Sequence, residues 1–341
     1  MTTLKLTRSQ RKHARLAPFA AWVGIVLVLW LVVVTAYDLW PTVAGNWRIA
    51  LTMLIGSYVA GSTPLGGGTV AFPILVLMFD EPATLGRTFS FAIQAIGMTS
   101  ASIYILASGQ RLVPRVLIWA IVGSSAALPI VAGGVAPFVA DATIKLVFAC
   151  VWGGFGLMTL VKLRDLLTPH PPARIPHRFD IAIGLSVGFL GAIAAGLTGA
   201  GIDMVIYAVL VLLYRADVRA AVATSVVLMA YNSLLGAIVS AATGAMDASL
   251  FAYWIAAVPV VLFGAPIGAL MLTIIPRDKT MLIVAALCVL QLLWTGIELR
   301  LGVVGWFGVV IAVLAMNAAF HLLYVQGVHR MPRNRAIGNG Q

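Results

Sequence analysis

Two short glycine-rich breaks carry most of the chemistry this sequence offers. The first is Gly61-Ser-Thr-Pro-Leu-Gly-Gly-Gly68, followed by Thr69; the second is Gly196-Leu-Thr-Gly-Ala-Gly201, which holds Thr198 and Gly199. Each interrupts an apolar stretch, 48–80 or 180–214. As a single helix at about 1.5 Å per residue, either stretch would run roughly 50 Å, well beyond a hydrocarbon core of about 30 Å. Glycine clusters break helices, so each stretch is a bent crossing or a re-entrant hairpin of two half-helices. The chain resumes as a helix near Thr69 and near Ile202, with second limbs roughly 15–20 Å long, which places both tips near mid-membrane. A helix N-terminus presents unpaired N–H groups and partial positive charge, and glycine lets an anion approach the backbone. Two such termini facing each other make a site for a small oxyanion, formed by Gly66, Gly67, Gly68 and Thr69 on one side and Thr198, Gly199 and Gly201 on the other. The competing reading is that the glycines only permit close helix packing.

The helix after each break supports this site. Arg87, Ser90, Gln94 and Gly97 fall at i, i+3, i+7 and i+10 and share a face. Ser225 and Asn232 stand at i and i+7 in the second half. Two readings of Gln94 and Asn232 stand side by side: amides lining a cavity, or amides joining helices. Arg87, near the outer end, either guides anions or pairs with Asp80 or Glu81. Asp203 is the one carboxylate predicted deep in the membrane. It either caps the second half-helix or couples transport to a proton or cation. Five scattered histidines form no ligand cluster, and Cys150 and Cys288 lie inside apolar runs, so no metal or other cofactor is expected.

The elements that position these residues are membrane helices. Of the 341 residues, 61% are hydrophobic and 10% charged, with a mean hydropathy of +1.03. A soluble domain carries about 25% charged residues. The apolar runs show no strand alternation, which excludes a barrel. The net charge of +11 sits at the ends of apolar runs rather than on a soluble basic face, so no nucleic-acid partner is expected. The run after Lys5–Arg15 is too long for a signal h-region and reads as a retained first helix.

Charge placement chooses between bent crossings and hairpins. If both long stretches are hairpins, 18 of the 22 basic residues face the cytoplasm, and only Arg48, Arg87, Lys145 and Arg300 lie outside. Full crossings would move Arg111, Arg115 and the four basic residues from Lys162 to Arg178 outside. The expected fold is therefore an all-α polytopic membrane protein built as two inverted repeats. Each repeat is a re-entrant broken-helix hairpin plus three transmembrane helices, with one extra helix at each end of the chain. The expected segments are a basic cytoplasmic tail (1–16), an extra helix (17–37), the first repeat (48–162), a cytoplasmic linker (163–179), the second repeat (180–298), a last helix (302–325) and a cytoplasmic tail (326–341). Matches in common order support the repeat: Gly66 and Gly68 with Gly199 and Gly201, Ser90 with Ser225, Pro129 and Asp141 with Pro266 and Asp278, and Cys150 within one residue of the Cys288 equivalent. Inverted repeats around broken helices are a recurrent transporter plan.

The segment Gly66-Gly-Gly-Thr-Val-Ala-Phe-Pro-Ile-Leu75, with Pro82 and Ser90 downstream, resembles the TauE/SafE sulfite exporter family. The resemblance continues in Gly196–Gly201 and Ala223-Thr-Ser225 and covers most of 48–325. It implies a secondary transporter of the bacterial inner membrane that exports sulfite, organosulfonates or another small organic anion. Both termini would be cytoplasmic and the partners would be the small anion, the bilayer and a possible coupling proton or cation. The second break departs from the pattern: Ala200 replaces the middle glycine, Asp203 stands where Val70 does, and Ile206 where Pro73 does. An intramembrane enzyme is the rival class. Gly199-Ala-Gly-Ile-Asp203 is one residue too long for the protease motif, and a second deep acid is missing, so no enzyme is expected. A channel would need a continuous polar lining, where this sequence has sparse polar residues. Substrate, direction, coupling ion and oligomeric state stay open.

Overall fold

The computed structural model describes residues 8–63, 68–167, 173, 175–271, 274 and 277–330, and every regular element among them is helical. A long first helix, α1 (Arg8–Ala36), is followed by a short α2 (Trp40–Gly45). The first interrupted stretch divides into α3 (Trp47–Ser62) and α4 (Gly68–Pro73), which widens into a π-helical turn at Ile74–Met78. Then come α5 (Ala83–Ser108), α6 (Pro114–Pro129, extended by a π turn over Ile130–Val135) and α7 (Asp141–Leu167). The second interrupted stretch divides into α8 (His177–Thr198) and α9 (Ile202–Ala208), which ends in a π turn at Val209–Leu213. Helices α10 (Val218–Ala242), α11 (Ala248–Met271), α12 (Arg277–Glu298) and α13 (Val303–His329) complete the chain.

The second over-long stretch breaks at Gly199 and Gly201, whose positive φ only glycine adopts freely, and the first is helical up to Ser62 and again from Gly68. Nine helices among the described residues are long and apolar enough to cross a membrane. The expected count of single crossings was eight. The ninth is α8, whose 22 residues extend about 33 Å, so this limb is longer than the expected half-helix. The short α2 and the π turns had no sequence signal. Helix α7 runs to Leu167 and α8 begins at His177, which narrows the interval expected to be linker.

The backbone repeats itself at an offset of 135 residues, the spacing of Ser90 and Ser225. The π turns begin at Ile74 and Val209, and α5 and α10 begin at Ala83 and Val218. Asp80 and Arg215, both non-glycine, hold positive φ of 56° and 54°. Phe79 N donates to Ile74 O (3.1 Å) and Tyr214 N to Val209 O (3.2 Å); Glu81 N donates to Leu75 O (3.0 Å) and Ala216 N to Leu210 O (2.9 Å).

Small residues bring the helices together, since lipid supplies no hydrophobic drive between them. A Cβ on Gly264 would overlap Ser57 Oγ, and one on Gly268 would stand 3.0 Å from Ser62 N, so α3 lies along α11 in parallel. With the halves exchanged, Gly188 abuts Ala120 and Gly196 abuts Val131, so α8 lies along α6, also in parallel. Helix α5 runs parallel to α11, through Trp254 Nε1 to Ala92 O and Ser100 Oγ to Leu262 O. Helix α10 runs parallel to α6, with Thr224 at Val113 and Asn232 at Ser124. By contrast, α5 and α10 are antiparallel, Gly236 meeting Phe91 and Val226 meeting Ser102. So are α7 and α12, with Gly156 on Ala285 and Lys145 paired to Glu298 at 3.2 Å. Helices α3 and α5 therefore run in one direction, and α8 and α10 together in the other.

Candidate functional site: the second glycine break and its seat on α5

The second break is built by a left-handed turn. Gly199 closes α8 at φ +82°, its N–H donating to Ala195 O at 2.7 Å, and Gly201 opens α9 at φ +111°. Positive φ is nearly free only for glycine. Gly199 also lies against α5: a Cβ there would stand 2.5 Å from Arg87 O and 2.7 Å from Ser90 Cβ. A Cβ on Gly201 would press to 3.1 Å on the Trp152 ring. Thr198 Oγ1 donates to Ala194 O (2.8 Å) and lies 3.0 Å from Ala200 O, tying the last turn of α8 to the break.

Helix α5 answers with polar groups. Gln94 Nε2 donates to Ser90 O (2.9 Å) and to Gly199 O (3.0 Å). Gln94 thus ties α5 to the break, and it also lines a small slot between α3, α5 and α11. Ser90 is wholly buried, and its hydroxyl has no hydrogen-bond partner among the described residues. Arg87 is only 4% exposed, and its Nε and Nη1 likewise have no partner there. The expected alternative pairing does not form. Glu81 accepts from Tyr253 Oη at 2.6 Å, and no carboxylate among the described residues reaches Arg87 within ion-pair distance.

Asp203 is buried in the first turn of α9, and its Oδ1 accepts from Gly201 N at 3.2 Å. The chain's own carboxylate therefore lies against the positive end of that short helix. Its Oδ2 has no partner among the described residues.

The other expected residues are placed elsewhere. Ser225 is buried and bonds back to Val222 O at 2.9 Å. Asn232 Oδ1 accepts from Ser124 Oγ at 2.7 Å, linking α10 to α6, and its Nδ2 is buried without a partner among the described residues. Val226 sits level with Ser102 on α5, about 18 Å along that helix from Ser90, so Ser225 is not part of the Gly199 seat. Gly66 and Gly67 lie outside the described residues; Gly68 begins α4, and the Thr69 side chain is likewise outside them.

One part of the site had only a faint signal. Phe148 and Trp152 of α7 stack at 4.0 Å, and Phe148 stacks on Phe72 of α4 at 4.3 Å. This ladder joins the return limb of the first break to Gly201 of the second. The i, i+4 aromatic spacing was visible, but it is equally the pattern of an ordinary core. Beside Gln94, between α3, α5 and α11, lies a slot of about 10 Å³ bounded by Gly56, Ser57 and Gly97. A space that small holds at most about one water, so no oxyanion fits there in this conformation.

The profile of the family described as Sulfite exporter TauE/SafE matches residues 49–295. The chain belongs to that family. The match spans both glycine breaks and stops short of α1 and α13, so the TauE/SafE core is flanked here by an added helix at each end. No curated protein and no solved structure gives a significant match. With nine apolar helices, this TauE/SafE member is a multi-pass membrane protein of a transporter family.

Proposed function

We propose that this protein is a secondary transporter that exports sulfite or an organosulfonate across the bacterial inner membrane, with the anion's charge taken up by Arg87. The observation that carries this reading is a buried arginine whose Nε and Nη1 have no partner among the described residues, one turn before the equally unpartnered Ser90 hydroxyl, on the stretch of α5 whose backbone meets the Gly199 turn. A cation inside a membrane costs at least about 2.5–3.5 kcal/mol unless it is compensated. Arg87 does not escape by reaching water, since protein covers it. A small oxyanion supplies both the missing charge and the acceptors.

The hairpin topology draws support from helix direction. Single crossings through 48–80 and 180–214 would leave α3 antiparallel to α5 and α8 antiparallel to α10. Their shared direction, the exchange of partners between α3–α11 and α8–α6, and the 135-residue backbone repeat all favour two inverted repeats. Combined with the basic ends, this topology puts both termini in the cytoplasm. In this reading Gly66–Thr69 form the second wall of the anion path, and Ser225 and Asn232 line its cytoplasmic half. Asp203 serves the break first as its cap, and its Oδ2, which has no partner among the described residues, is the candidate proton or cation acceptor.

The test is sulfite flux in vesicles, with thermal melting of the purified protein in parallel. Arg87→Gln is expected to weaken sulfite handling at least about tenfold, the cost of losing one charge-assisted contact. It should melt no lower than the unmodified protein, because an uncompensated charge has gone. Unaltered flux in Arg87→Gln would sink the reading. Asp203→Asn, assayed with and without a pH gradient, tests coupling: unchanged gradient dependence removes Asp203 from that role. Repeating the flux with thiosulfate, sulfonates and acetate separates sulfite from the alternative small organic anions.

A further inference from the structure

Helix α13 fills a seat beside the second break. Gly327 packs on the Leu212 carbonyl of the π turn that ends α9, and Asn317 Nδ2 donates to Gly154 O of α7 at 3.2 Å. An amide thus marks the crossing of α13 with α7. The backbone repeat sets an equivalent seat beside the first break. The 135-residue offset relates Leu212 to Leu77, and the 137-residue offset from Asp141 to Asp278 relates Gly154 to Gln291 of α12. Leu77 and Gln291 line one groove of about 420 Å³, walled only by the return limb of the first break and α12. Helix α1, the other helix added to the family core, packs elsewhere: Phe19 meets Tyr104 of α5, and Trp30 Nε1 donates to Ile255 O of α11 at 2.7 Å. Gln291 lies within the apolar span Met281–Glu298, and its amide has no hydrogen-bond partner among the described residues. An acyl chain offers that amide nothing. Around it, Ile283, Leu287, Leu290, Trp294 and Ile297 are all exposed and recur at alternating steps of four and three, the seam of a left-handed helix pair.

We propose that a second copy of this chain fills the groove with its own α12, and that Gln291 bonds to the partner subunit's Gln291 across a twofold axis. Copies inserted with one orientation share a twofold along the membrane normal, so each residue meets its mate at its own depth. A carboxamide both donates and accepts, so it satisfies an identical amide, and such interhelical bonds join helices in lipid. The two α12 helices then run parallel, with one polar position fixing their register. The second copy would brace the first return limb as α13 braces the second. This inference rests on the backbone repeat and the exposed face of α12, not on which anion is carried.

The experiment uses the full chain with one fluorophore at its C-terminus, reconstituted in phosphatidylcholine vesicles over a range of protein-to-lipid ratios, with photobleaching steps counted per particle. The wild type should bleach in two steps and give way to one on dilution. Gln291→Leu should move that midpoint about 3–30-fold toward higher protein, the weight of one interhelical hydrogen bond. Leu290→Cys should give a disulfide-linked dimer on mild oxidation, whereas Ile311→Cys, on the exposed face of α13, should not. Cys150 and Cys288 are buried, so the wild type sets the background. Leu290 and Ile311 are both exposed, so both cysteine variants are expected to fold. One-step bleaching of the wild type at every ratio would leave the groove to lipid and overturn the proposal. So would an unshifted midpoint in Gln291→Leu, or dimers trapped through Ile311→Cys and not through Leu290→Cys.

Discussion

Gly199→Ala is expected to be among the most damaging single-methyl changes in the molecule, for two separable reasons. The residue holds φ +82°, where a Cβ costs roughly 1–2 kcal/mol. The same Cβ would stand 2.5 Å from Arg87 O and 2.7 Å from Ser90 Cβ, and overpacking of that kind costs about 1–3 kcal/mol. Together they weigh against the seated break by about 2–5 kcal/mol, shifting the equilibrium away from it roughly 30-fold or more. Melting of the purified protein and sulfite flux in vesicles should both fall. Two companions make the reasoning specific. The double variant Gly199→Ala with Ser90→Gly should recover only part of the loss, because the Arg87 carbonyl is backbone and cannot be trimmed. Ala200→Gly, at a position without positive φ, should cost within about 1 kcal/mol. Wild-type melting and flux in Gly199→Ala would refute the packing of the break against α5.

Three further outcomes follow from the same geometry. Gln94→Leu should lower stability by about 1–3 kcal/mol, since it leaves the buried Gly199 carbonyl without its donor, and melting measures it. Gly188→Ala drives a Cβ into the Ala120 carbonyl and should separate α8 from α6, whereas Gly134→Ala, with open space around it, should be tolerated; paired melting curves decide. Asp217→Ala removes the acceptor for Arg219 N and Ala220 N at the start of α10 and should cost about 1 kcal/mol, without changing the apparent affinity for sulfite in the flux assay.

Much of the architecture was legible because bilayer physics is severe. Length and apolarity alone mark spans, and the second over-long stretch breaks at Gly199 and Gly201, within the expected glycine cluster. The length of α8 was not legible, since the residues on either side of a break are equally apolar. The π turns after Pro73 and Ala208 were missed for a related reason: Ile74–Met78 and Val209–Leu213 read as ordinary helix, and a widened turn leaves no mark in composition. At the candidate site, residue types were readable and partners were not. Gln94 and Asn232 looked alike, yet one holds Gly199 and the other holds Ser124 on a different helix. Arg87 was expected near the outer end, guiding anions or paired with one of two acids close in sequence; the fold buries it and gives Glu81 to Tyr253.

The sequence by itself determined that this chain lives in a membrane, where it breaks, and which family it resembles. Those depend on local properties: apolar run length, glycine's backbone freedom and the spacing of a motif. Only the tertiary structure decided which helices run together, that the second break rests on α5, and that Arg87 is buried with Nε and Nη1 unpartnered among the described residues. These depend on contacts between residues far apart in the chain. Burial and partnership are pairwise quantities that no single position encodes, and a charge's significance in a membrane depends on what stands next to it.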